Sequence, residues 1–149
     1  PPRERDGPHA LADAPALVLR LRGGDARERF AALQGITADD VAEFARLSQD
    51  ANPIHVDSTA AVRAGFPAPV VHGMLCASLF GAIIGTRFPG AVYATQSLAF
   101  RAPVLVGESV VAEVRLTKIG GSRAHFATRV RRGEDVVLDG TALALLPRR

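Results

Sequence analysis

At 149 residues, 48% hydrophobic and 22% charged, the chain is long enough for one hydrophobic core and short for two, which argues against both intrinsic disorder and a disulfide-built scaffold. Its one cysteine, Cys76, leaves no intramolecular disulfide or CxxC metal site to form, as expected in a reducing compartment. The net charge of +3 is spread over scattered arginines, so nucleic-acid binding has little support, while an anionic ligand is compatible with it.

Residues 1–15 are rich in Pro, Ala and charge and are expected to form a loose arm ahead of a single domain over 16–149. No apolar run approaches the ~20 residues of a membrane-spanning helix, and the opening Pro1-Pro2-Arg3-Glu4 lacks a signal-peptide core, so a cytoplasmic protein with no membrane partner is expected. Residues 17–21 alternate briefly before Gly23-Gly24, which allows a short strand or an extended arm. Thr37, with Asp40 three residues on, has the spacing of a capping box. The helix it opens carries Val41, Phe44, Ala45 and Leu47 on one face and should end near Gln49.

Asp50-Ala51-Asn52-Pro53-Ile54-His55 comes next, in a segment expected to be non-helical because Pro53 pushes Asn52 out of the α region. An extended or turned backbone can aim the Asp50 carboxylate and the His55 imidazole at one point, as an acid/base pair acting on a single water requires. A short helix over 58–64 should stop at Gly65, and Phe66-Pro67-Ala68-Pro69 must be loop. Residues 74–84 are apolar nearly all round, so that helix should be buried on all sides. Cys76 and Ser78 within it are expected to pack: neither a basic neighbour nor a G-x-S-x-G elbow marks them as nucleophiles. Strand-like runs over 91–101, 109–118, 123–131 and 136–146, separated by Gly107, Gly120-Gly121 and Gly133, supply the wrapping. A buried helix followed by an antiparallel meander predicts an α+β fold in which a sheet curls round the helix.

Three blocks in this order, Asp50 to His55, Val70-Val71-His72-Gly73-Met74 and Arg101-Ala102-Pro103-Val104-Leu105-Val106-Gly107-Glu108, resemble the MaoC-like hydratase/dehydratase family, especially its (R)-specific enoyl-CoA hydratases of hot-dog fold. The likeness spans about residues 36–146. It implies reversible addition of water to a trans-2-enoyl thioester, with Asp50 and His55 holding the water and the Gly73 N–H, at the start of the central helix, receiving the developing oxyanion. Which of the dyad is base and which is acid stays open. Asn52 is expected to fix the loop or the water, with loop-fixing favoured, and His72 to touch substrate or bond backbone near the helix start. Gly81 and Gly85 each weaken a helix by roughly 1 kcal/mol relative to Ala, so they suggest close approach of either a packed strand or the acyl chain, with equal weight, and Gly81 and Ile84 are the acyl-pocket candidates. Arg101, Lys118 and Arg123 are surface arginine or lysine by default, although phosphates could meet them.

The resemblance implies no cofactor and no metal. It implies an acyl-CoA partner, with acyl carrier protein as the alternative carrier, and a homodimer that covers the sheet edge. Thioester hydrolysis and a non-catalytic acyl-CoA-binding role are the competing classes, and the Asp50-to-His55 block argues against both.

Overall fold

The capping box at Thr37 forms as its spacing predicts: the Asp40 N–H donates to Thr37 Oγ1 at 3.2 Å and the Thr37 N–H to Asp40 Oδ2 at 2.8 Å. It opens α1 (Ala38–Ser48) in a computed structural model that describes residues 18–21 by their backbone and 29–148 in full. Gln49 ends α1 in the left-handed region at φ 63° and turns the chain into Asp50. Of the expected apolar face, Val41 is buried, whereas Leu47 is 74% exposed because the face turns outward in the last turn. The 1–15 arm, Leu17 and the Gly23-Gly24 break lie outside the described residues.

After a turn at Pro53–His55 and α2 (Ser58–Arg63), the chain enters the central helix α3 (Gly73–Arg87). Around it curls one antiparallel sheet of β1 (Val18–Leu21), β2 (Arg29–Gly35), β3 (Val92–Gln96), β4 (Ala99–Phe100), β5 (Ser109–Gly120), β6 (Arg123–Arg132) and β7 (Asp135–Leu145). The order is β1-β2-β5-β6-β7-β3, with β4 also paired to β7. Alternation sets the inner face: Val110, Ala112 and Val114 of β5 and Ala124, Phe126 and Val130 of β6 meet Phe80 and Ile83 of α3, all essentially fully buried. This is the hot-dog layout, α+β, with the helix as filling.

Three expectations are corrected. The helix begins at Gly73 and ends at Arg87, wider than 74–84. It is not buried on all sides either: Met74, Ser78 and Ala82, one turn apart, form an exposed stripe, since the sheet curls round only part of the helix. The run 91–101 is two strands, β3 and β4, both paired along β7 and interrupted at Ser97-Leu98, where the Ser97 N–H still donates to the Thr141 carbonyl at 2.8 Å. Strand β2 was not anticipated at all. Among the described residues no helix is long and apolar enough to cross a membrane.

Candidate active site

Pro53 opens a single turn of 3-10 helix, correcting the expectation of a wholly non-helical segment: proline's fixed φ and missing N–H cost nothing at a first helical position. Asn52 stays extended, at φ −56° and ψ 121°, as a residue before proline should. Its Oδ1 accepts the Ile54 N–H at 3.3 Å, so its oxygen caps the turn, and Asn52 is not among the residues lining the cavity described below. The Asn52 N–H in turn donates to Asp50 Oδ1 at 3.2 Å, which leaves Oδ2 to face His55.

Asp50 Oδ2 and His55 Nε2 lie 3.8 Å apart, too far for a direct hydrogen bond and close enough for one water to touch both. His55 is oriented from behind. Its Nδ1 lies 2.6 Å from the Val70 carbonyl, which can only accept, so Nδ1 carries a proton and, in the neutral form of the ring, the lone pair is on Nε2, facing Asp50. The Val70 segment is itself held: its N–H donates to the Ile54 carbonyl at 3.0 Å, and the Val71 N–H to the Val104 carbonyl at 2.8 Å. The imidazole is 9% exposed and the Asp50 carboxylate 51%, so the pair sits at the boundary of protein and solvent.

His72 is buried directly beneath. Its ring stacks on that of His55 with centroids 3.7 Å apart and 25° between planes, and Phe44 packs on it at 4.9 Å. His72 Nε2 lies 3.2 Å from the Asp50 backbone carbonyl and therefore donates to it, the backbone bond expected of a histidine at this place. Nδ1 is left buried without a hydrogen-bond partner. Asp50, His55 and His72 bring one possible ligand atom each within 4.8 Å of the others. Stacked imidazoles, however, point their lone pairs side by side, and a transition metal needs them to converge.

Gly73 follows at the first position of α3. The Leu75 and Cys76 N–H groups bond the His72 carbonyl, whereas the helix offers no acceptor to the amide of Gly73. A Cβ on Gly73 would lie 2.5 Å from Phe100 Cε1 and 2.7 Å from Cδ1, so the missing side chain is what lets that ring approach the helix start. Asp50, His55, His72 and Gly73 all line one cavity of about 460 Å³. Its walls are mostly apolar and include Phe66, Phe100, Leu138 and, from the third block of the resemblance, Val104.

Neither Gly81 nor Ile84 borders this cavity. Ile84 is 2% exposed within the core, and the nearest neighbour of a Gly81 Cβ would be Tyr93 at 3.8 Å. Only the first turn of α3 reaches the cavity, and residue 81 lies ~12 Å further along the axis than residue 73. Cys76 does line it, yet burial pushes its thiol up to about 11. The thiolate is therefore scarce below that pH, and a maleimide at pH 7.5 is expected to leave the native protein unmodified and to react once it is unfolded, as mass spectrometry would record. Arg101 borders the cavity too and donates to Asp139 Oδ1 from Nε and Nη2 at 3.3 and 3.2 Å.

The family model described as MaoC like domain matches residues 26–139. The (R)-specific enoyl-CoA hydratase of Aeromonas caviae is 43% identical over 115 residues, covering 74% of this chain and 86% of that protein. A mitochondrial 3-hydroxyacyl-acyl-carrier-protein dehydratase of Solanum lycopersicum is 41% identical over 114 residues, covering 73% of this chain and 69% of that protein. Among solved structures, the (R)-hydratase from A. caviae involved in PHA biosynthesis superimposes with a TM-score of 0.78 at 38% identity, over 83% of this chain and 97% of that chain.

Proposed function

Because the chain belongs to the MaoC-like domain family, we propose that it is an (R)-specific enoyl-CoA hydratase, adding water reversibly to a trans-2-enoyl thioester to give the (R)-3-hydroxyacyl thioester. The observation that carries this reading is the 3.8 Å gap between Asp50 Oδ2 and Nε2 of a His55 ring held through its Nδ1–H by the Val70 carbonyl, at one side of an apolar cavity.

In this mechanism a water spans the gap, accepted by Asp50 and facing the His55 lone pair. As the water oxygen bonds to Cβ, His55 Nε2 takes its proton, and the π electrons shift through Cα onto the thioester oxygen. The Gly73 N–H, with the α3 dipole behind it, stabilises that enolate oxygen. The electron pair then returns to form the Cα–H bond with the proton that His55 releases, and the thioester stays intact. Asp50 needs no change of protonation state, which suits its solvated carboxylate. Hydrolysis would instead release a free thiol.

The test is crotonyl-CoA followed by loss of the conjugated thioester absorbance alongside a free-thiol assay. Hydration without thiol release supports the reading; thiol release would place the protein among thioesterases. The carrier-protein reading has one observation in its favour, the 41% identity to a dehydratase named for that substrate.

His72 serves this dyad as a positioning residue, with its ring under His55 and its Nε2 on the Asp50 carbonyl. His72→Gln keeps a donor and loses the stack; His72→Phe does the reverse and also removes the buried unpartnered Nδ1. Both variants are expected to lose about 10- to 100-fold in kcat with KM little changed, since small misplacements of a catalytic group have effects of that size. His72→Phe should nevertheless melt no lower than the wild type, a combination that a purely structural histidine would not produce.

The homodimer is part of the proposal. Met74 on the open stripe of α3, Val92 on the edge strand β3 and Phe100 are 57%, 61% and 56% exposed, and pairing two such faces side by side would cover them.

A further inference from the structure

The outer face of the sheet carries charge that this chemistry leaves unused. Core packing takes Val110, Ala112 and Val114 of β5 and Ala124, Phe126 and Val130 of β6, so Glu113, Arg115, Arg129 and Arg131 project from the opposite face. Glu113 is the centre of a cluster. It accepts from Arg129 Nε at 2.6 Å and from Arg131 Nε and Nη2 at 3.0 and 2.7 Å, and Arg29 Nη2 lies 3.8 Å away. Burial works to raise its carboxyl, and Arg131 and Arg129 more than offset that, leaving it below the usual carboxylate range. Arg115 stands directly opposite Arg29 in the β2–β5 ladder, like charge facing like, an arrangement that lowers stability unless something negative lies over it.

This cluster is continuous with the cavity. Arg129 is the register partner of Asp139, Asp139 accepts from Arg101, and Arg101 lines the cavity. Between the cavity and β2 the belt therefore sets five guanidiniums, of Arg29, Arg101, Arg115, Arg129 and Arg131, against the two carboxylates of Glu113 and Asp139. From Arg101, immediately after β4, it crosses β7, β6, β5 and β2, roughly 19 Å at ~4.8 Å per interstrand step. Arginines that looked scattered along the sequence are gathered by the sheet into one strip. Interleaved carboxylates make it a poor match to the continuous phosphates of a nucleic acid and a better one to separate carboxylates on an acidic helical protein.

We propose that this belt is a docking surface for an acidic acyl carrier protein, which would hold its thioester-bearing arm beside the cavity. The inference rests on the hydratase reading and deepens it by naming the carrier. Coenzyme A needs no such surface to enter, so the two carriers should respond differently to its charge.

The experiment compares crotonyl-CoA with a crotonyl group on a bacterial acyl carrier protein, at low and high salt, for the wild type, Arg115→Glu and Arg115→Gln. Arg115→Glu is expected to lower kcat/KM about tenfold or more for the carrier-bound substrate, Arg115→Gln less, with crotonyl-CoA within about twofold of wild type in both; raised salt should weaken only the carrier-bound reaction. An equal loss on both substrates, or no loss on the carrier-bound one, overturns the docking surface and leaves the hydratase reading standing. So does turnover of crotonyl-CoA alone. If the wild type turns over neither, the catalytic reading fails first, and binding of the unacylated carrier protein decides the surface: saturable binding abolished by Arg115→Glu supports it, and no binding overturns it.

Discussion

Asp50→Asn and His55→Asn proteins are expected to lose about 10²–10⁴-fold in kcat for crotonyl-CoA hydration while folding like the wild type. Each change is chosen to spare the scaffold. Asn at position 50 retains an oxygen to accept the Asn52 N–H, and Asn at 55 retains a donor near Nδ1 for the Val70 carbonyl. What disappears is the second Asp50 oxygen with its charge in one case and the Nε2 lone pair in the other, the two atoms that face each other across 3.8 Å. Because they act on one water, the double variant should be little worse than either single one. Absorbance of the conjugated thioester reads the rates, and circular dichroism reads the fold. A fully active His55→Asn would remove His55 as the base.

Gly73→Ala is expected to lose about 10²–10³-fold in kcat, the range seen when one oxyanion donor is taken away. The fold should tolerate it. A new Cβ meets the Phe100 ring at 2.5 Å, so the ring must turn aside on the face proposed to pair; circular dichroism should match the wild type, and size-exclusion chromatography reports whether pairing survives. The thioester has no such freedom, since the methyl stands beside the amide it must approach. Adding Phe100→Ala separates the two effects: it relieves the ring contact and leaves the methyl in place, so the double variant should remain impaired. Recovery of activity in the double variant would mean that the displaced ring, and not the blocked amide, was responsible.

The parts of this site that the sequence discloses are those built from near neighbours. Thr37 and Asp40 form their box, Gln49 ends the helix, and Asp50 and His55 converge, because each depends on contacts within about one turn. The fold class followed from an apolar helix placed ahead of four alternating runs. What stayed hidden depends on pairing across long separations. The orientation and tautomer of His55 are set by a carbonyl 15 residues away, and the cavity walls draw Phe66, Phe100, Val104 and Leu138 from separate elements. Strand β2 was missed because Arg29–Gly35 keeps no regular alternation: Phe30 and Ala31 are both buried while Leu33 is exposed. Glycine's cost in a helix leaves a strand or the acyl chain as the neighbour of Gly81, and the structure favours the strand: a Cβ there would meet Tyr93 of β3 at 3.8 Å, while Gly81 and Ile84 both lie beyond the turn of α3 that reaches the cavity. The arginine belt is the same lesson on the outer face: Arg29, Arg115 and Arg129 become neighbours only through the β2–β5–β6 register.

One compact dyad is expected to handle both the water and the Cα proton from a single side of the substrate. Hydration of crotonyl-CoA in D2O tests it most directly, with the product analysed by NMR for configuration at Cβ and for the position of deuterium at Cα. The expected product is a single (R)-3-hydroxybutyryl thioester with deuterium and hydroxyl added to the same face. Addition to opposite faces, or a mixture at Cα, would require a second proton donor across the cavity and would contradict it.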